Sequence, residues 1–125
     1  MLYDTDILIW VLRGNLKAAR LIDEDVSRSL SLVSYMELLQ GAAGREEARL
    51  IKSLLTECAL VTLPLTENIG HRASIYIEEY SLSSGLRVAD ALIAATAAES
   101  RLPLCTSDDR HFRVIRELEL SIFRP

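Results

Sequence analysis

Carboxylates are the residues best placed to do chemistry in this sequence. Asp4 and Asp6 follow the apolar opening Met1–Tyr3. Glu37 lies just past the apolar segment Leu30–Val33. Asp90 is the only charge in the run Val88–Ala98. Asp108 and Asp109 follow the segment Leu104–Ser107. Each acid therefore sits where a strand is expected to end or a helix to begin. Hard carboxylate oxygens, without His or Cys at ligand spacing, suit Mg²⁺ or Mn²⁺ rather than zinc. A centre of that composition points to phosphoryl chemistry, in which an ion activates water and steadies charge on the phosphate.

Every one of these acids also has a purely structural reading. Ser34-Tyr35-Met36-Glu37 has the form of a capping box. Asp90 near a helix start is favoured by the macrodipole, and Asp6 and Asp108 can serve as N-caps. Several such acids meeting at one place would nonetheless repel: two carboxylates ~5 Å apart cost roughly 3 kcal/mol at an effective dielectric of 20. A cation or a proton must then neutralise them. His71 falls mid-helix and His111 follows the acid pair, and neither has a second histidine four residues on. The helix carrying Asp90 is apolar nearly all round, which predicts a central position with alanines allowing close approach to a sheet. A charge in such a place needs a partner or a metal.

The elements that must position these acids alternate along the chain. Strands are predicted at Met1–Tyr3, Leu30–Val33, Leu60–Leu65, Leu104–Ser107 and Leu118–Phe123, the third at an edge because of Pro64. Helices are predicted over Ile7–Leu12, Asn15–Glu24, Ser34–Gln40, Arg45–Glu57, Thr66–Tyr80 and Leu86–Ser100, with a short one around Arg110–Arg116 and a loop at Ser81–Gly85. This order predicts an α/β fold, a central mostly parallel sheet flanked by helices. In such sheets ligands gather outside the carboxyl ends of the strands, where these acids fall.

Composition narrows the classes further. The chain has 125 residues, which predicts one domain over 1–125, and half of its residues are apolar, which excludes a disordered segment. Its formal net charge of −4 argues against nucleic-acid binding by bulk positive charge. No apolar run is long enough to span a membrane, and Asp4 falls where a signal peptide would be basic and then apolar. Cys58 and Cys105 stand at no metal or redox spacing, as expected of reduced thiols in a cytosol.

With these residues in view, the chain resembles the PIN-domain family, and within it the VapC-type toxins of toxin–antitoxin pairs. The opening LYDTDILIWVLRGN (2–15) is similar to the family's first motif. SYMELLQGA (34–42) is similar to the second, RVADALIAATA (87–97) to the third and LCTSDDRHFRVI (104–115) to the fourth. The resemblance implies a metal-dependent endoribonuclease that cleaves RNA by attack of water on phosphorus. It implies that Asp4, Glu37, Asp90 and Asp108 are the catalytic acids and hold one or two Mg²⁺ or Mn²⁺ ions. Asp4 and Asp90 are the foremost candidates, and Glu37 either binds metal or positions water. Many relatives have Asn where Asp108 stands, and Ser or Asn where Asp6 stands. Asp6 is accordingly read as a helix cap or a group behind the ligands, and Thr106 or Ser107 as orienting a carboxylate or water. The resemblance further implies a homodimer, a cognate VapB-like antitoxin and a cytoplasmic location.

Arg13, Arg87 and Arg110, with Arg113 and Arg116, fall in regions expected near the acids and can pair bidentately with phosphate. Tyr3, Tyr35 and Trp10 can stack on bases, although Trp10 lies on an apolar turn that suits core or dimer surface. Three other readings share some of these features. A haloacid-dehalogenase-like phosphatase shares Asp4-Thr5-Asp6 and a later acidic pair, but the only lysines are Lys17 and Lys52, and Ile7 and Leu8 follow Asp6. A receiver domain needs a late lysine that is absent. A catalytically degenerate family member would bind a partner and keep its acids only as caps.

Overall fold

The computed structural model describes residues 1–125. Along the chain run β1 (Leu2–Tyr3), α1 (Thr5–Leu12), α2 (Leu16–Glu24), β2 (Ser29–Ser31), α3 (Leu32–Gln40), α4 (Arg45–Glu57), β3 (Val61–Leu63), α5 (Glu67–Ser84), α6 (Val88–Ser100), β4 (Leu104–Thr106) and β5 (Leu120–Ile122). All four strand pairings are parallel, and the order across the sheet is β3-β2-β1-β4-β5. As Pro64 predicts, β3 is an edge strand.

The two-residue period of a strand divides the apolar residues between two cores. Leu2 and Leu104 point to the side covered by α5 and α6, with Ile69, Ala73, Tyr76, Ile93, Phe112 and Ile115. Tyr3, Leu30 and Cys105 point to the other side, with Ile7, Leu8, Ala18, Ile22, Leu38, Ile51 and Leu55 from the first four helices. Burying one such aliphatic side chain contributes roughly 1.5–3 kcal/mol, so both faces stabilise the sheet. Helix α6 is buried along most of its length: Ala91, Ala94, Ala95, Thr96 and Ala97 are wholly buried, as its alanine-rich sequence predicts. No helix is long and apolar enough to cross a membrane.

Four local expectations are corrected. Ser31, not Ser34, caps α3, accepting from the Val33 N–H at 3.1 Å. Ser31 also pairs with Leu63 in the sheet, so register fixes where the helix starts, and Ser34 and Glu37 form no capping box. Helix α5 runs on through Ser84 and ends at Gly85, whose φ of 73° is the left-handed conformation that glycine adopts without strain. Residues Arg110–Arg116 form successive turns rather than a helix, anchored by buried Phe112 and Ile115. Finally, Asp4 rather than Asp6 is the N-cap of α1, accepting from the Thr5 N–H at 2.8 Å.

Strand order dictates where a site can form. From β1 the chain builds outward through β2 and β3, then returns to β4 on the other side of β1. Crossovers on the two sides diverge there, and in such sheets the ligand crevice falls beyond the carboxyl ends of the strands at this point, here β1 and β4.

Candidate active site

Asp4 stands at that crevice, one residue beyond β1. Its N–H donates to the Cys105 carbonyl at 2.9 Å, which continues the β1–β4 ladder. Its two carboxylate oxygens are held separately: Oδ1 by the Thr5 N–H and Oδ2 by the Thr106 hydroxyl at 2.9 Å. Thr106 is wholly buried at the end of β4, and its Oγ1 also accepts the Asp108 N–H at 3.1 Å. Burial of the Asp4 carboxyl, reinforced by the charge of Asp6 and more weakly of Asp90, pushes its pKa up to about 7, against the hydrogen bonds from Thr106 and Thr5. Three acids from two distant stretches of sequence thus share one electrostatic neighbourhood.

Asp6 lies one step into α1 and turns toward the β4 loop. Its Oδ2 accepts from the Ser107 N–H at 3.0 Å and the Ser107 hydroxyl at 2.5 Å. Its Oδ1 is buried and has no hydrogen-bond partner. A buried carboxylate oxygen without a donor is costly, and it marks a place where a water or a cation would be stabilised. Asp90 sits in the first turn of α6, with Oδ2 accepting the Arg87 N–H at 3.3 Å. Its other oxygen makes no hydrogen bond within the chain.

Glu37 reaches the same end of the sheet from α3. It is exposed, and Thr5 Oγ1 donates to its Oε1 at 2.7 Å. The same Thr5 oxygen lies 2.9 Å from Ser34 Oγ, one helical turn before Glu37 and wholly buried. Sequence reasoning passed over Thr5, whose only signal was its place between two acids.

Asp108 is placed differently from the other acids. Its carboxylate turns to Arg110, which binds it bidentately at 2.8 and 2.7 Å. That guanidinium holds the Asp108 carboxyl down to about 2. Arg110 is consequently engaged rather than free for a ligand. Arg87 is exposed at the start of α6, beside Asp90. Arg13 ends α1, at the opposite end of that helix from Asp4, with its guanidinium 5.8 Å over the Trp10 ring. Tyr3 is wholly buried with its hydroxyl on Asp25, so it cannot stack on a base, and Tyr35 and Trp10 pack against the second core. Exposed His71 lies mid-helix in α5, and His111 Nδ1 is 3.2 Å from the Ser84 carbonyl. Both cysteines are free, and burial pushes the Cys105 thiol up to about 11.

As the side chains stand, no three Asp, Glu, His or Cys residues are grouped closely enough to cage an ion. Mg²⁺ does not require such a cage: it dehydrates reluctantly and is commonly held by one or two carboxylates with waters and substrate phosphate. The donor set at Asp4, Asp6 and Asp90 is all carboxylate oxygen, and it includes an orphaned buried oxygen and an acid driven toward protonation. That chemistry fits a hard divalent ion.

Known proteins share this sequence pattern and fold. Residues 1–118 match the PIN domain family. Ribonuclease VapC10 of Mycobacterium tuberculosis is 34% identical over 126 residues, an alignment that spans 95% of this chain and 90% of the relative. A toxin–antitoxin complex from Klebsiella pneumoniae contains a chain of similar structure, with a TM-score of 0.78, 27% identity, and coverage of 94% of this chain and 93% of that one. VapBC-1 from nontypeable Haemophilus influenzae shares the fold, with a TM-score of 0.80 at 23% identity over 98% of each chain.

Proposed function

The chain belongs to the PIN domain family, and we propose that it is a VapC-like toxin: an endoribonuclease that hydrolyses RNA phosphodiester bonds with the help of Mg²⁺ or Mn²⁺. The observation that carries this reading is the meeting of Asp4 and Asp6 at the end of β4, held there by Thr106 and Ser107, with Asp90 near enough to add to the shift that burial and Asp6 impose on the Asp4 carboxyl. The relative named as a ribonuclease and the structural neighbours solved as toxin–antitoxin complexes support it.

In this reading Asp4 and Asp90 hold the ion. Asp6 Oδ1, buried without a donor, would be open to the ion or to a water, and Glu37 would either bind the ion or orient the attacking water. The chemistry such an ion supplies when bound is Lewis acidity, which makes water easier to deprotonate and offsets charge building on the phosphate. Thr106 keeps Asp4 turned into the crevice, and Ser107 does the same for Asp6. Asp108 is the one of the four family acids closed by an arginine, with its carboxylate available only when Arg110 leaves it. Arg87 and a released Arg110 pair with the RNA phosphates. A VapB-like antitoxin restrains the enzyme, which works as a homodimer in the cytoplasm, where its RNA is found.

The test is to incubate the purified chain with mixed RNA, with and without Mg²⁺ or Mn²⁺. The reading expects cleavage that requires the ion and is lost in Asp4→Asn and Asp90→Asn variants that remain folded. The lack of a three-acid cage and the closure of Arg110 on Asp108 favour a second reading, a partner-binding module without catalysis. Metal-independent behaviour and intact RNA would support that one.

A further inference from the structure

The acids of α1 and α3 approach the same crevice, yet Glu37 is an exposed side chain with three rotatable bonds. Left free, it would spread over many rotamers, and fixing such a side chain has an entropic cost. One hydroxyl limits that freedom. Thr5 Oγ1 is 2.7 Å from Glu37 Oε1 and 2.9 Å from Ser34 Oγ. Ser34 and Glu37 are three residues apart on α3, so both project from one face of that helix. The Thr5 backbone N–H is meanwhile occupied by Asp4 Oδ1. A single residue therefore joins the carboxylate that ends β1 to the carboxylate carried by α3, and it rests on a wholly buried serine.

We propose that Thr5 is a positioning residue that aims the Glu37 carboxylate at the end of β1. Its side-chain hydroxyl takes up Oε1 and leaves Oε2 for the site, while its main chain sets one oxygen of Asp4. Ser34 supplies the fixed point: an immobile oxygen beneath Thr5 that keeps the hydroxyl turned toward α3. This assignment rests on the ribonuclease reading for its catalytic consequence, but the Thr5–Glu37 contact itself does not.

The experiment compares Thr5→Val, Thr5→Ser, Glu37→Gln and the Thr5→Val/Glu37→Gln double variant, each as the full chain. Two quantities are read: the Mn²⁺ dissociation constant by calorimetry, and the single-turnover rate of RNA cleavage at saturating Mn²⁺. Residues that orient metal ligands typically change affinity or rate by about 10–100-fold when removed. Thr5→Val is expected to lose about tenfold in one or both quantities. Thr5→Ser, which keeps the hydroxyl, is expected to restore them to within a few-fold. In the Glu37→Gln background the valine should add little, because the group it positions is already compromised. Fully multiplicative effects of the two substitutions, or a Thr5→Val variant equal to the parent, would overturn the proposal. If the parent binds Mn²⁺ but cuts no RNA, the ribonuclease reading fails while the calorimetric cycle still decides on Thr5. A parent that neither binds Mn²⁺ nor cuts RNA overturns both.

Discussion

The Thr106 hydroxyl donates to Asp4 Oδ2 at 2.9 Å across 102 positions of sequence, and so ties the ends of β1 and β4 together at the point where the sheet's connections diverge. This bond favours the charged carboxylate, and its loss should drive the Asp4 pKa still higher. At pH 7 a Thr106→Val variant should therefore bind Mn²⁺ about 10–100-fold more weakly than the parent. Thr106→Ser should stay close to the parent. Calorimetric titration checks this, and equal affinities in the valine variant would contradict the role.

The raised Asp4 carboxyl has a defined consequence for pH. Its pKa is 3.8 in the ordinary state and about 7 in the fold. A group raised in this way contributes stability that is fully present below about pH 3.8 and disappears as pH rises through about 7. In chelator, urea unfolding should thus show stability from this group falling between about pH 4 and pH 7 and levelling off above that. Asp4→Asn should flatten that part of the profile. Asp90→Asn, which removes a neighbouring charge, should stabilise the metal-free chain near pH 8. An unaltered slope in Asp4→Asn would argue that the carboxyl is not raised.

Much of this arrangement was legible in the sequence. Five short apolar runs alternating with helical periodicity are enough to predict a parallel sheet, and an acid after a strand lies at its carboxyl end whatever the order of strands. Longer-range facts were not legible. Ser31 and Ser34 are both plausible caps, and only pairing with Leu63 in the sheet selects the first. The serine-rich end of α5 has modest helix propensity, yet it is carried to Gly85 by a left-handed cap and by the Ser84 hydroxyl on the Tyr80 carbonyl. Arg13 and Asp4 flank opposite ends of α1, a placement that spacing along the sequence does not convey. The contacts of Thr5 and the turn of Asp108 toward Arg110 depend on side-chain geometry that no spacing encodes.

A separate polar cluster pins α5, α6 and the segment before β5. Arg72 bonds Glu99 through Nε at 2.6 Å and Glu117 through an Nη at 2.8 Å, and Tyr76 also donates to Glu117. Glu99 lies nine residues beyond Asp90 on α6, ~13 Å along the axis. Arg72→Met should lower stability by about 1–2 kcal/mol, a modest value because the groups are partly exposed. It should leave RNA cleavage by the folded protein unchanged. Chemical denaturation and a cleavage assay test both halves, and a large activity loss at full folding would show coupling to the site.

The alanines of α6 set how close it lies to the sheet. Ala94 is wholly buried between α5 and the strands. Ala94→Leu inserts a branched side chain where no space exists, at a cost of about 1–3 kcal/mol. Because Asp90 begins the same helix, displacement of α6 should also weaken Mn²⁺ binding. Unchanged melting temperature in this variant would mean that the helix is less tightly packed than described.

The central claim is that acids far apart in sequence share one hard cation at the crevice between β1 and β4. Anomalous scattering from crystals soaked in Mn²⁺ tests it most directly. The expected result is a peak within ~2.0–2.2 Å of oxygens from both Asp4 and Asp90, absent in crystals of Asp4→Asn. Soaked crystals with no peak there, or with one bound to a single acid elsewhere on the surface, would contradict it.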